Sequence, residues 1–536
     1  MNKKLFSVIV FLAVIAMLVS SCAQPTAVPA PAATEAPKAA PAEATKAPEP
    51  TKAPEPTQAP EPTKAPEPTA APLAELTYVY VGGPQKDQQA VNDALNAITK
   101  EKISATVKLV TYDWSAFTDK VNLMFSSNEL CDVIWNAPWM APNHNKLVTD
   151  GSLADMTPLL QNNAPELMKA MPSDAWAATT IDSKIYGVPF METWTKRFGA
   201  AVRKDLADKY KLDVSKLTKY EDLEPFLATL KANEPGITPI PLPDNTPNSL
   251  WMAEIAGYDL VVDQDVQVAV KFDDQAGKVV NAFESPEFKA MVELAHKWYE
   301  AGYIAKDLVP AADMNSQWKT GKYAVAVAAQ ELPGKDLEFK DAKGFEAYLK
   351  SFVPTPFKAT GSVSASQTSI CANSKNPDAA AKFINLFHTD PAVYNLLAYG
   401  IEGKHWTWAD KATNLIDTTL GKDLYAPNSN WMFGATPLAY YTDKNLAAIK
   451  SADQMAKLNA DAPASVALGF AFDPTAVKTE VAQVAAVVKE QGYPLINGKT
   501  DPAIALPKFI ESLKAAGMDA VVAETQKQFD AWKASK

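Results

Sequence analysis

Cysteine, histidine and long apolar runs are scarce in this chain of 536 residues, and each scarcity excludes a class of protein. Three cysteines are too few for a disulfide-rich scaffold. The four histidines show no zinc-site spacing such as H-E-x-x-H, so we expect no metal and no cofactor. The 51 basic residues are outnumbered by 62 acidic ones, and the net charge of −11 argues against a nucleic-acid partner.

Enzyme fingerprints are absent as well. The sequence contains no G-x-S-x-G elbow, no P-loop and no dinucleotide-binding glycine motif. A glycan hydrolase needs only two carboxylates about 5–10 Å apart. With so many acidic residues, the sequence alone leaves that alternative open.

The first 21 residues predict a lipoprotein signal peptide. Lys3 and Lys4 precede an apolar run from Leu5 to Val19, which is shorter than the roughly 20 residues of a membrane span. Val19-Ser20-Ser21-Cys22 resembles a bacterial lipobox, which implies that Cys22 is acylated and anchors the protein to the outer face of the cell membrane. A plain signal peptide with an incidental cysteine is the alternative.

Residues 22–72 predict a lipidated cysteine followed by a disordered tether. Alanine, proline, threonine, glutamate and lysine dominate, and a hexad such as Thr45-Lys46-Ala47-Pro48-Glu49-Pro50 repeats. Frequent prolines remove hydrogen-bond donors and favour extended backbone. We therefore expect a semi-rigid spacer of about 3.1 Å per residue.

Order begins at Leu76, where strand and helix patterns start to alternate. Three β-branched or aromatic segments, 76–81, 105–110 and 131–135, are separated by segments with helical apolar spacing. This alternation predicts βαβ units and a parallel sheet, in which ligands bind beyond the carboxyl ends of the strands. The loops that matter are then 82–87, 112–114 and 136–145.

Several segments, in order, resemble the family 1 extracellular solute-binding proteins of ABC importers, which mostly capture carbohydrates. They are Asp132-Val133-Ile134-Trp135, Ile185-Tyr186-Gly187-Val188-Pro189, Tyr220-Glu221-Asp222-Leu223, Gly321-Lys322-Tyr323-Ala324-Val325 and Asn376-Pro377-Asp378-Ala379-Ala380. Other segments fit the LplA-like sugar-binding lipoproteins with their distinctive C-terminal domain, among them Gly82-Gly83-Pro84-Gln85-Lys86-Asp87 and Tyr399-Gly400-Ile401-Glu402-Gly403-Lys404-His405.

The resemblance implies an α/β, type II periplasmic-binding-protein-like fold with two lobes, a multi-strand hinge and a ligand cleft between the lobes. We expect lobe 1 to comprise residues 73–190 and 360–400, and lobe 2 residues 191–359 and 401–536. It also implies a monomer that closes around a solute and delivers it to a membrane permease. A structural or adhesive surface lipoprotein is a further alternative.

Sugar rings present flat C–H faces to aromatic planes and hydroxyls to polar groups. Tryptophans in predicted loops are therefore candidate ligand contacts, although each could instead be a hydrophobic plug. They are Trp135, Trp139, Trp194, Trp406 and Trp431, and we expect at least two of the last four to line the cleft.

The polar candidates are Asp113, Glu192, Arg197, Gln330 and Glu402. Asp113 could instead cap the following helix, and Glu402 could have a structural role in its glycine-flanked loop. Arg197, if it lies in the cleft, would favour an acidic sugar. For Cys131 and Cys371 we expect two buried thiols packed as small hydrophobic groups, with a disulfide as the alternative.

Overall fold

The computed structural model describes residues 73–140, 142–243, 250–262, 264–310, 313–427 and 430–536, so the predicted signal peptide and tether lie outside the described residues. The strands are β1 Ala74–Val81, β2 Ala105–Tyr112, β3 Val133–Asn136, β4 Thr180–Ile181, β5 Lys184–Ile185, β6 Val188–Pro189, β7 Phe198–Arg203, β8 Tyr258–Leu260, β9 Val268–Lys271, β10 Val280–Asn281, β11 Val325–Gln330, β12 Ala347–Ser351, β13 Gln367–Ile370, β14 Thr407–Asp410 and β15 Leu415–Asp417.

Helices lie in many of the intervals between the strands and form most of the C-terminal region. They are α1 Gln88–Ile103, α2 Trp114–Ser126, α3 His144–Thr149, α4 Thr157–Asn163, α5 Pro165–Ala170, α6 Ser173–Thr179, α7 Lys204–Lys209, α8 Glu224–Asn233, α9 Pro286–Glu300, α10 Met314–Lys319, α11 Lys335–Lys343, α12 Thr360–Val363, α13 Pro377–Thr389, α14 Pro391–Tyr399, α15 Lys444–Ala448, α16 Ser451–Asp461, α17 Lys478–Val487, α18 Tyr493–Ile496, α19 Pro502–Ala515 and α20 Met518–Ala534.

The first lobe is built on a five-stranded sheet in the order β2-β1-β3-β13-β6. Strands β1, β2 and β3 are parallel, whereas β13 runs antiparallel to both of its neighbours. The four residues of β3 are all buried, as expected for a strand covered on both faces. The core beneath the sheet includes Tyr78, Trp135, Phe383 and Phe387.

A second lobe has its own hydrophobic core. It contains the sheets β10-β9-β8 and β11-β7-β12. The amphipathic helix α9 starts at a serine cap, where the Ser285 hydroxyl accepts a hydrogen bond from the Phe288 N–H, and it buries Phe288 and Trp298 in this core. Residues of α17, α19 and α20, including Val484, Phe509 and Phe529, pack on the same core.

The hinge between the two lobes consists of three short extended segments that pair side by side. Thr195 bridges Lys358 in antiparallel fashion, and Lys358 bridges Ala464 in parallel fashion. Lys358, only 8% exposed, also forms an ion pair of 2.5 Å with Asp174 on α6 of the first lobe. The hinge therefore consists of three chain segments joined by single β-bridges, in agreement with the predicted multi-segment connection.

The predicted boundary between the lobes at residue 401 needs a correction. Tyr425, Met432 and Phe433 are buried in the first core, and Ile401 and Leu438 pack against it. The segment following α14 therefore returns to the first lobe before the chain crosses to the second. The apolar residues of 401–439 have no pattern that could assign them to one core or the other.

The expectation of free thiols is also wrong, because Cys131 and Cys371 form a disulfide. Cys131 precedes β3 and Cys371 follows β13, so the antiparallel pairing of these strands brings the two residues together with a Cα–Cα distance of 5.6 Å. Both cysteines are buried. The bond joins residues 240 apart at the sheet edge where β3 begins.

Candidate ligand-binding site

Four tryptophans gather where β2 and β3 end. The Trp114 ring lies near-parallel to the rings of Trp139 and Trp431, with centroids 6.1 Å apart and interplanar angles of 20° and 25°. Trp114 and Trp139 are 51% and 53% exposed, and Trp431 is partly buried. We call the rings of Trp114, Trp139 and Trp431 the aromatic platform.

The fully buried Trp135 supports the aromatic platform from within the sheet. Its ring meets those of Trp114, Trp139 and Trp431 edge to face, with centroids 6.3, 5.8 and 5.9 Å away. Its indole N–H donates to the Ser366 hydroxyl at 2.8 Å. Trp135, a candidate ligand contact on its sequence position, is therefore a support whose own ring is inaccessible.

The aromatic platform lies at the edge of the sheet that faces the hinge. The sheet's parallel strands end at this edge, and β6, which is parallel to β3, ends there too. The chain passes directly from β6 into the hinge segment that contains Thr195. The Trp139 indole N–H donates to the carbonyl of Ala365, which precedes β13 at the same edge, at 2.6 Å.

The carboxylate of Asp113 stands beside the platform. Asp113 is exposed and occupies the N-cap position of α2, but its side chain makes no capping hydrogen bond within the described structure. The capping alternative is therefore not realised. A Cβ on Gly83 would lie only 3.3 Å from Asp113 Oδ1, so the glycine leaves room for this carboxylate. Asp113 is free to accept hydrogen bonds from a ligand.

Two of the predicted cleft tryptophans belong to the core instead. Trp194 is 2% exposed, and its indole N–H donates to the Phe190 carbonyl at 2.9 Å. Trp406 is 4% exposed and donates to the Gly400 carbonyl at 3.0 Å. Each indole N–H has a backbone partner and each ring is packed, which favours the alternative reading of both side chains as hydrophobic plugs.

The remaining polar candidates occupy different surroundings. Arg197 binds Glu331: Arg197 Nε donates to the Glu331 carbonyl at 3.1 Å, and Arg197 Nη2 donates to Glu331 Oε2 at 3.3 Å. Arg197 is therefore already paired and is not a free cation for an acidic sugar. Gln330 is partly buried on β11 of the second lobe. Glu402 is exposed, in the loop that contains Trp406. Glu192 is partly buried at the start of the hinge, and burial raises the pKa of its carboxyl.

Trp114, the centre of the platform, is not among the residues predicted from the sequence. Its position could have indicated a ligand contact, because Trp114 directly follows Asp113 beyond the carboxyl end of β2. Ligands of parallel sheets bind at that end of the strands.

Two of the segments that carry the family resemblance meet in space. The Asp87 carboxylate accepts hydrogen bonds from His405 Nε2 at 3.1 Å and from Lys404 Nζ at 2.8 Å. The buried His405 ring accepts a hydrogen bond at Nδ1 from the Ile401 N–H at 2.8 Å, so Nε2 is the nitrogen that donates to Asp87. These bonds hold the loop after β1 against the segment after α14, which also carries Trp431. They also lower the pKa of Asp87.

Two surface cavities lie away from the platform. One of about 640 Å³ is lined by residues of β10 and α20, and one of about 270 Å³ surrounds Lys306 and Tyr323 in the second lobe. Among the described residues, no group of three or more histidine, cysteine, aspartate or glutamate side chains could hold a metal ion. Nor is any helix of the described ranges both long and apolar enough for a membrane span.

Two α/β lobes, a three-segment hinge and an aromatic surface at the hinge-facing sheet edge define the class of type II periplasmic-binding-protein-like receptors. Residues 93–402 match the family model described as bacterial extracellular solute-binding protein, and residues 466–534 match a domain of unknown function, DUF3502. The first match covers more than half of the chain. The protein therefore belongs to the family of bacterial extracellular solute-binding proteins, which confirms the resemblance found in its motifs.

Individual relatives agree with this assignment. A carbohydrate ABC transporter substrate-binding protein of Streptococcus pneumoniae serotype 4 is 27% identical over 446 residues, covering 81% of this chain and 86% of the relative. The N-glycan transport solute-binding protein NgtS of S. pneumoniae is 25% identical with a TM-score of 0.75, covering 86% of this chain and 100% of that one. NgtS in complex with Man5GlcNAc, at 25% identity and coverage of 86% and 99%, has a TM-score of 0.66.

Proposed function

We propose that this protein is the capture subunit of an ABC importer for oligosaccharides, anchored outside the cell membrane through Cys22. The aromatic platform is the observation that carries the proposal. Three indoles in a row, two of them about half exposed, present an apolar surface that suits the flat C–H faces of sugar rings. The carboxylate of Asp113 beside it supplies an acceptor for hydroxyl groups.

The similarity to NgtS supports the choice of ligand class. NgtS is described as an N-glycan transport protein, and two of its structures contain Man5GlcNAc and Man1GlcNAc. This chain is more similar to the NgtS structure described without a glycan, with a TM-score of 0.75, than to the two complexes, with TM-scores of 0.66 and 0.67. The difference in TM-score supports the view that the two lobes of this chain are arranged more as in the NgtS structure described without a glycan than as in the two complexes.

Capture then works through a shift between two lobe arrangements. A glycan on the platform contacts the second lobe only when the hinge bends, so it binds the closed form more tightly and increases its population. The closed protein, acting as a monomer, presents both lobes to a membrane permease. No covalent bond of the solute changes in this cycle, so we propose binding without catalysis.

The test is a binding screen on protein that begins at residue 73. We expect Man5GlcNAc or a related neutral oligosaccharide to raise Tm and to bind in a calorimetric titration, because a ligand that binds only the folded state stabilises it. The recovered glycan should be chemically unchanged by mass spectrometry. If no oligosaccharide shifts Tm, the proposal fails. If the glycan is recovered cleaved, the protein is a hydrolase, which is the alternative.

A further inference from the structure

Two neighbouring residues just before β13 hold two of the four clustered tryptophans. The Ala365 carbonyl accepts a hydrogen bond from Trp139 Nε1 at 2.6 Å, and the Ser366 hydroxyl accepts one from Trp135 Nε1 at 2.8 Å. Ser366 is only 2% exposed, and Trp135 is fully buried. A buried indole N–H needs a hydrogen-bond partner, because burying it unpaired costs free energy. Ser366 therefore fixes the position of the Trp135 ring.

The position of Trp135 in turn sets the positions of the platform rings. Its ring meets all three of them edge to face, with centroid distances between 5.8 and 6.3 Å. The ring of Phe117 packs on the same indole at 5.6 Å. Because Trp114 and Trp139 are about half exposed, the protein packs against only part of each ring. The spacing and tilt of the exposed indoles therefore depend on where the buried indole lies.

Ser366 also connects the platform to the hinge. Its carbonyl accepts a hydrogen bond from the Phe190 N–H at 3.0 Å, and Phe190 directly follows β6 on the way into the hinge. The Phe190 carbonyl accepts a hydrogen bond from Trp194 Nε1 at 2.9 Å, and Trp194 directly precedes the hinge residue Thr195. One residue thus binds the support of the platform through its side chain and the segment that enters the hinge through its backbone.

A binding surface is precise only when packing and hydrogen bonds from the residues behind it lock its side chains. Without the Ser366 hydroxyl, the buried N–H of Trp135 would lose its partner, and the ring would move toward another acceptor or toward water. Such a movement changes the spacing of the three platform rings that rest on Trp135. A flat sugar face would then contact fewer of them at once.

We propose that Ser366 is a positioning residue for glycan binding. Its hydroxyl holds Trp135, and Trp135 holds the platform indoles at the spacing and tilt that fit a sugar ring. Its carbonyl keeps this arrangement in register with the segment that enters the hinge. Ser366 therefore determines the affinity for the glycan without touching it. This inference rests on the proposed function and adds a residue that controls the affinity of the same site.

The experiment measures the Kd of Man5GlcNAc by calorimetry, and Tm by thermal unfolding, for wild type, S366A, W135F and the double variant. We expect S366A to weaken binding by about 3- to 10-fold, which corresponds to the contribution of one hydrogen bond. Phenylalanine keeps an aromatic ring but has no N–H. Adding S366A to W135F should therefore change Kd by less than about twofold, because the two variants remove the same hydrogen bond.

Ser285→Ala is the matched control for a loss of stability alone. Ser285 is another buried serine, and its hydroxyl accepts a hydrogen bond from the Phe288 N–H at 3.1 Å in the second lobe. Its replacement removes a helix cap, so Tm should fall as it does for S366A. The Kd of this control should equal that of wild type.

A folded S366A variant with a lower Tm but wild-type Kd would show that Ser366 is only structural, which overturns the inference while the proposed function stands. Weaker binding by the Ser285→Ala control would overturn it too, as would an undiminished effect of S366A in W135F. If wild type binds no oligosaccharide, the proposed function fails and the inference with it. Should S366A fail to fold, W135F decides, because wild-type Kd in that variant overturns the inference and weaker binding supports it.

Discussion

Replacing Trp114 by alanine separates the role of the platform in binding from its role in stability. Trp114 is 51% exposed, and its packed half contacts the other three indoles. A fully buried aromatic side chain buries about 150–250 Å². Roughly 100 Å² of Trp114 is therefore available to a ligand, and a similar area is already packed within the protein.

Both areas translate into free energies. At about 25 cal/mol per Å², covering the exposed half with a sugar face stabilises the complex by up to about 2.5 kcal/mol. Trp114→Ala should therefore weaken Man5GlcNAc binding by up to roughly 60-fold. The loss of the packed half lowers the free energy of unfolding by up to about 2.5 kcal/mol, which leaves the protein folded at 25 °C if its stability is ordinary.

The assay is calorimetric titration of the folded variant, with urea unfolding measured in parallel. Leu123→Ala is the matched control, because Leu123 lies on the same helix near its other end and is 61% exposed. Trp114→Phe should retain most of the affinity. A folded Trp114→Ala variant with wild-type Kd would refute the assignment of the platform to the ligand site.

Three further predictions concern stability. Replacing Cys131 and Cys371 by alanine should lower the free energy of unfolding by about 3–5 kcal/mol without changing Kd, and detection of two free thiols in the unreduced protein would contradict this. Because burial raises the pKa of Asp259 to about 7, this carboxyl keeps a proton in the folded state at pH values where the unfolded chain has released it. Relative to Asp259→Asn, the free energy of unfolding of wild type should fall by about 1.4 kcal/mol per pH unit between about pH 4 and 7, as measured by urea unfolding at each pH. If the free energies of the two proteins change in parallel with pH, this prediction is refuted. Gly400→Ala should lower the free energy of unfolding by more than about 3 kcal/mol, because its Cβ would lie 2.2 Å from Nδ1 of the buried His405. Gly403 has a similar positive φ but open space around it, so Gly403→Ala should lower the free energy of unfolding by only about 1 kcal/mol in the same assay.

The regular elements of the folded region could be predicted because their signals are local. The strands expected at 76–81 and 105–110 lie within β1 and β2. A period of two or of 3.6 residues reflects which neighbours along the chain face the core, so it needs no knowledge of the partner. The α/β class, confirmed by the fold of the solved relatives, followed from the alternation of these patterns.

The candidate site was only partly predictable, because the exposure of a side chain depends on segments distant in sequence. Trp139 and Trp194 both lie in irregular segments, yet Trp139 is half exposed and Trp194 fills the core beside the hinge. Nothing in the residues next to each tryptophan distinguishes them. The same limit concealed the disulfide, since Cys131 and Cys371 meet only through the pairing of β3 with β13.

The amino-acid sequence by itself determined which segments are helix and strand, and through its ordered motifs it determined the family. These properties depend on interactions between residues that are near one another in the chain. The tertiary structure alone decided which tryptophans form the platform and which core receives residues 401–439. Those properties depend on contacts across up to hundreds of residues, and burial and pairing exist only after the chain has folded.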